Sequence, residues 1–151
     1  MNEFQAKKLG EILAFETLSA QFFEKTKGTL KEKFSEESLN EIIEKNTLRT
    51  AKIKEISEIN NASEITIPKS EKTIQKLIQM QDKYIGDEWD NPAELLEWLG
   101  FFEGAAIVHL KLVEGMAEKI ENEELKTLTK EAVESHHDFF HKIGEVMKTS
   151  F

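Results

Sequence analysis

The chain has 151 residues, 39% of them hydrophobic, a formal charge of −9 and no cysteine. That length suits one domain, residues 1–151, with a sizeable core, and the lack of cysteine excludes disulfides, thiolate metal sites and a cysteine nucleophile. Acidic and basic residues are interspersed with no basic block, which argues against nucleic acid and anionic membrane surfaces as partners.

The N-terminus, Met-Asn-Glu-Phe-Gln-Ala-Lys-Lys, carries an acid at once and no apolar core, so no signal peptide is expected. No uncharged apolar run approaches the roughly 18 residues of a spanning helix. These features predict a cytoplasmic protein.

Two prolines and seven glycines leave room for long helices, and Glu, Lys, Leu and Ala dominate over β-branched alternation. The fold class is therefore all-α. The first helix is predicted from about Glu3 to Lys27, stopped near Gly28. Leu9, Ile12, Leu13, Ala20 and Phe23 share one of its faces, with Glu16 at the centre. Phe15, Leu18 and Phe22 form a second apolar stripe, so this helix should also meet a subunit or a crossover segment.

The second helix covers about Leu30 to Ile59, with a restart near Ser35. Its inner face reads Leu39, Ile43, Asn46, Thr47, Thr50 and Ile53. The threonine hydroxyls there are expected to bond back to their own helix. Residues 58–70 break the pattern, and Ile65-Thr66-Ile67 before Pro68 should be extended. A shorter helix follows from about Glu71 to Ile85, with Ile74, Leu77, Ile78 and Tyr84 inward and Gly86 ending it. The span reads as a crossover connection.

Asn91-Pro92-Ala93-Glu94 starts the third main helix: Asn caps, Pro fills the first turn, and Glu94 is placed for a capping box. The helix should run to about Glu121. Between Trp98 and Leu110 its only titratable side chains are Glu103 and His109. A helix apolar nearly all round is normally buried, so Glu103 faces a polar site or escapes at an edge. The last helix, about Glu123 to Lys148, turns Leu125, Leu128, Ala132, Val133, His136, Phe139, Phe140, Ile143 and Met147 inward. Short turn, long crossover, short turn describes two helical hairpins in one bundle.

The two halves are alike. Leu13-Ala14-Phe15-Glu16-Thr17-Leu18-Ser19-Ala20 sets against Gly100-Phe101-Phe102-Glu103-Gly104-Ala105-Ala106-Ile107, each an apolar helix with a Phe-Glu pair at mid-length. The arrangement resembles the ferritin-like superfamily, and within it the rubrerythrin-type di-iron carboxylate proteins. The resemblance implies a four-helix bundle of two hairpins with a long crossover, here containing a short extra helix. It also implies one Glu from the first and third main helices and a Glu-x-x-His pair from the second and fourth. Glu16 and Glu103 match the lone glutamates. On the second helix Thr47 and Thr50, or Thr50 and Ile53, stand where the pair belongs. On the fourth, Glu134-Ser135-His136-His137 spells the motif with His137. Helical phase instead turns His136 inward and Glu134 and His137 outward, and periodicity outranks a two-residue match.

The resulting expectation is a site of Glu16, Glu103 and His136, with Glu134 and His137 as alternates and Thr50 or Asn46 nearby. It would hold iron, manganese or zinc and serve iron oxidation or peroxide handling. The competing reading pairs His136 with a glutamate in a metal-free bundle that acts as a structural or interaction protein. A homodimer is expected in either case. His109 reads as a helix-interface histidine, His141 as outside the core face, and Trp98, Phe101 and Phe102 as packing residues, partly at a dimer surface. No phosphate loop, Ser-His-Asp order or zincin motif is present.

Overall fold

A computed structural model describes residues 1–151. It consists of five α-helices and no strand: α1 (Glu3–Leu30), α2 (Glu36–Ile59), α3 (Ser63–Ile85), α4 (Pro92–Lys119) and α5 (Glu123–Thr149). Four of the five N-termini are closed by side chains that take orphan backbone N–H groups: Asn2 with Gln5 in a capping box, Ser35, Asn91 and Asn122. Glu94 does not complete a capping box, because the Asn91 N–H already donates to the Glu88 carbonyl at 3.1 Å. Gly28 does not stop α1. The helix runs two residues further and sets Leu30, fully buried, into the core.

The crossover differs from its sequence expectation. It is a full helix from Ser63, so Ile65-Thr66-Ile67 is helical and Pro68 lies inside α3. The lost N–H of Pro68 deprives only the Glu64 carbonyl, and Glu64 and Pro68 are both exposed, where water can serve it. Docking on α1 supplies the compensation. The buried Thr66 hydroxyl donates to the Ala6 carbonyl at 3.0 Å, and Gly10 lets the two backbones close up. A Cβ at Gly10 would sit 2.6 Å from the Thr66 carbonyl oxygen and 2.9 Å from Lys69 Cβ.

Long-range contacts fix the helix directions. Thr66 near Ala6 brings the starts of α3 and α1 together. Lys33 donating to the Ser150 carbonyl joins the ends of α1 and α5, and the Lys52–Glu124 ion pair joins the end half of α2 to the start of α5. Thus α1, α3 and α5 run one way and α2 and α4 the other. α1 is the central helix, packed on α2, α3 and α4.

That position accounts for its two apolar stripes. The second stripe is covered within the chain: the Phe15 ring lies 5.2 Å from Phe102 and the Phe22 ring 5.9 Å from Trp89. It therefore gives no reason for a partner. Three inner-face assignments shift outward as well. Thr47 is exposed and its hydroxyl bonds back to the Ile43 carbonyl, while Tyr84 and Phe140 are exposed at 38% and 43%.

The apolar core is in two parts. One gathers Phe15, Phe22, Phe23, Leu30, Leu99, Phe102 and Phe139; the other gathers Leu9, Ile12, Ile53, Leu110, Leu125 and Val133. No helix is long and apolar enough to cross a membrane.

Candidate functional site

Between the two apolar clusters lies a polar layer to which α1, α2, α4 and α5 each contribute. In sequence each contribution sits between core residues of the two clusters: Glu16 between Leu13 and Leu18, Glu103 between Leu99 and Leu110, His136 between Val133 and Phe139. The helical period then carries the polar side chain into the interior with its neighbours. All three are buried, at 0%, 1% and 3% exposure. Glu134, His137 and His141 lie on the exposed face of α5.

The three buried residues form a chain with the imidazole in the middle. His136 donates from Nδ1 to Glu103 Oε2 and from Nε2 to Glu16 Oε1, the latter at 2.7 Å. The other oxygen of Glu16, Oε2, accepts from Arg49 Nε at 2.9 Å. Arg49 also donates from Nη2 to Asn46 Oδ1 at 2.7 Å, and Asn46 donates to Ser19 Oγ at 2.7 Å. Two carboxylates thus meet an imidazolium and a guanidinium, and the layer carries no net charge. Buried charges require such pairing.

Burial by itself pushes the His136 pKa down, but the carboxylates of Glu103 and Glu16 outweigh it and raise the value to about 10. For Glu16, burial is the largest single influence and acts upward. His136 and Arg49 together overcome it and hold the carboxyl below its ordinary range. At neutral pH the imidazole is therefore a fixed cation with both nitrogens engaged. It is not a base poised near 7.

Arg49 is the member that sequence reasoning missed. It is the only arginine in the chain, among 20 basic residues, and that solitude was the available signal. A planar guanidinium can serve a carboxylate and an amide at once in a fixed geometry, which an ammonium cannot. Asn46, on the inner face of α2, is its partner. Thr50 stays outside the network, its buried hydroxyl without any hydrogen-bond partner. His109 bonds through Nδ1 to the Ala105 carbonyl at 2.8 Å and packs tilted against Phe15, ring centroids 4.9 Å apart, as an interface histidine.

The donor set does not fit an ion shared by Glu16, Glu103 and His136. A metal centre needs lone pairs converging on one point, whereas here the two carboxylates lie on opposite sides of the ring. An ion held by one nitrogen faces away from the second glutamate, and Arg49 already places a positive charge on Glu16. No three His, Asp or Glu side chains in the structure are gathered so as to hold a metal ion. A polar cleft of about 130 Å³ between α2 and α5 reaches this layer, with Arg49, Glu103 and His136 on its wall and Lys45, Ser135 and Lys142 nearer its mouth. Comparison with known proteins finds no matching family model, no matching curated protein and no matching solved structure.

Proposed function

We propose that this chain is a ferritin-like bundle without an internal metal, and that it works as a self-associating interaction protein and not as an oxidase. Two hairpins joined by a helical crossover support the ferritin-like layout. The observation that carries the functional reading is the double engagement of His136. With both ring nitrogens given to carboxylates, the imidazole offers neither a lone pair for a metal nor a free base for catalysis. The polar layer's work is internal: it fixes the register of four helices, a role for which buried ionic groups are suited.

The surface is then where function resides. On the outer face of α4, Phe101, Val108 and Leu112 are exposed at 64%, 67% and 43%, and Phe140 of α5 stands beside Gly104. Glu97, Gly104 and Lys111 recur at intervals of seven on the same side of the helix. A two-fold axis through Gly104, with α4 antiparallel to its copy, sets Glu97 of each protomer against Lys111 of the other and Phe101 against Ile107. A self-complementary patch is what an isologous dimer requires.

Elemental analysis of protein purified without chelator or residual affinity tag tests the reading, alongside folded Glu103→Ala checked by circular dichroism. The expected result is no stoichiometric iron, manganese or zinc that depends on Glu103. Metal bound at one equivalent and lost in the folded variant would overturn it in favour of an internal site at Glu16, Glu103 and His136.

A further inference from the structure

The outer face of α5 carries chemistry that the buried layer does not use. His137 and His141 are four residues apart on one helix, and both are exposed. Residues so spaced are neighbours on a helical surface, with Cβ atoms roughly 5–6 Å apart. Two imidazoles at this spacing can hold one metal ion between them, as they do when a helix supplies two histidine ligands to zinc. The ring nitrogens need to come within about 2.0–2.1 Å of the ion, and exposed side chains can rotate to do so.

Their surroundings separate them from the other histidines. His136 has both nitrogens taken, and His109 has Nδ1 bonded and Nε2 at 3.7 Å from Glu11; no side-chain hydrogen bond or ion pair engages His137 or His141. The two rings line one shallow hollow together with Asp138 and Lys142. Asp138 adds a third donor, through oxygen, on the same rim, and its carboxylate has no ion-pair partner. Lys142 is the only cation there, on a stem long enough to swing its ammonium into solvent. Glu134, one turn before His137, and Glu145, one turn after His141, add negative potential on the same side of the helix, and the whole chain carries −9.

We propose that His137 and His141 form a two-imidazole chelate for a borderline divalent transition ion, with Asp138 as an auxiliary oxygen ligand. Imidazole donors favour copper(II), nickel(II) and zinc over magnesium or calcium, and affinity should follow the order Ni²⁺ < Cu²⁺ > Zn²⁺. The ligands must be unprotonated to bind, so binding releases protons and weakens as pH falls. Asp138 and Lys142 also line the cleft that reaches the buried layer, but neither of the two imidazoles does.

The test is calorimetric titration of the tag-free full chain with nickel chloride and, separately, copper chloride. One equivalent should bind. His137→Ala and His141→Ala should each weaken binding by at least about tenfold, because the second imidazole acts at an effective concentration in the millimolar range. Spacing supplies a sharper check. Asp138→His in the His137→Ala background restores a neighbouring pair with His141, at three residues, and should recover affinity. Lys142→His in the His141→Ala background leaves a spacing of five and should not. Equal affinity in wild type and the two alanine variants would overturn the proposal. So would binding that survives in them but disappears in His136→Gln; that result would also overturn the metal-free reading of the interior, whereas the first would leave that reading standing.

Discussion

A buried imidazolium between two carboxylates makes a strong demand on each partner, and substitution should expose it. His136→Leu removes the cation that serves both glutamates and leaves Glu103 buried without its partner. Breaking a buried pair from one side costs about 3–5 kcal/mol, so urea denaturation should show a loss of that size. Replacing Glu16, Glu103 and His136 together by apolar residues should cost less than the sum of the single changes, since no charge is then stranded. Additive losses would mean the three side chains are not one network. A pH signature accompanies it. The folded protein holds the His136 proton with a pKa of about 10, against roughly 6.5 in an unfolded chain. Between those values the native state binds more protons than the unfolded state, so this contribution is complete below about pH 6.5 and is lost as pH rises towards 10. Glu16 acts in the opposite sense: its carboxyl is held low, so its contribution fades only as pH falls below the ordinary carboxylate range. Denaturation midpoints of wild type and His136→Gln should converge as pH is raised; a constant gap from pH 6 to 10 would contradict the charged imidazole. Much of this site was legible, because charge in the middle of an apolar helical face is conspicuous. Its wiring was not. Helical phase says that a side chain points inward but not at what height it meets its partners, so Glu16, Glu103 and His136 could be grouped without showing that the ring lies between the carboxylates. Arg49 escaped although it lies three residues after Asn46 and four before Ile53, on the inner face of α2, because a lone charge there reads as solvated until its carboxylate partner on α1 is known.

Helix boundaries show where local chemistry governs and where packing overrides it. The caps at Ser35, Asn91 and Asn122 and the stop at Gly86 were readable, since each depends on residues a few positions apart. The conformation before Pro68 was not, because proline's preference is local while the docking of α3 on α1 depends on Ala6 and Gly10, some sixty residues away. Two predictions follow from backbone geometry. Gly10→Ala should destabilise by about 1–3 kcal/mol, as overpacking does, because the added methyl meets a backbone carbonyl that can yield only by moving α3. A thermal midpoint unchanged from wild type would show that the two helices are not tightly apposed. The turns Asn60–Ala62 and Ile120–Asn122 give the opposite sign. Each contains a residue in the left-handed region, Asn61 at φ 54° and Glu121 at φ 55°, and each closes with an N–H five residues along, Ala62 to the Ser57 carbonyl and Asn122 to that of Ala117. Asparagine tolerates this conformation but glutamate does not. Glu121→Gly should therefore stabilise by about 0.5–1 kcal/mol, and Asn61→Gly by less. If Glu121→Gly were neutral or destabilising in chemical denaturation, the strain assigned to that turn would be wrong.

At the scale of the whole molecule, both apolar stripes of α1 are covered, while α4 keeps exposed apolar side chains on its outer face. Sequence periodicity found both stripes of α1 but could not say whether a crossover or a second subunit covers the second one; the Phe15–Phe102 and Phe22–Trp89 contacts assign it to the chain itself. An unpartnered apolar surface lies instead on the outer side of α4, where Phe101 has Tyr84 as its one aromatic neighbour, at 5.3 Å, and Val108 stands at 67% exposure. Clustered exposed rings and aliphatics of this kind mark interaction surfaces. If two copies meet there about Gly104, equilibrium sedimentation should show a monomer–dimer equilibrium at micromolar concentrations. Val108→Glu should shift it to monomer, because the two-fold puts that side chain in the contact of both protomers and strands two acids in an apolar seam. Charge supplies the control that a generic sticky patch would not pass. Lys111→Glu should weaken the dimer by setting like charges opposite one another. Exchanging the pair, Glu97→Lys with Lys111→Glu, should restore association, because attraction across the axis is unchanged when both signs are reversed. A chain that stays monomeric at all concentrations would rule out the self-associating function. A dimer indifferent to Val108→Glu would place the interface elsewhere, and failure of the charge exchange to rescue would exclude the antiparallel register about Gly104.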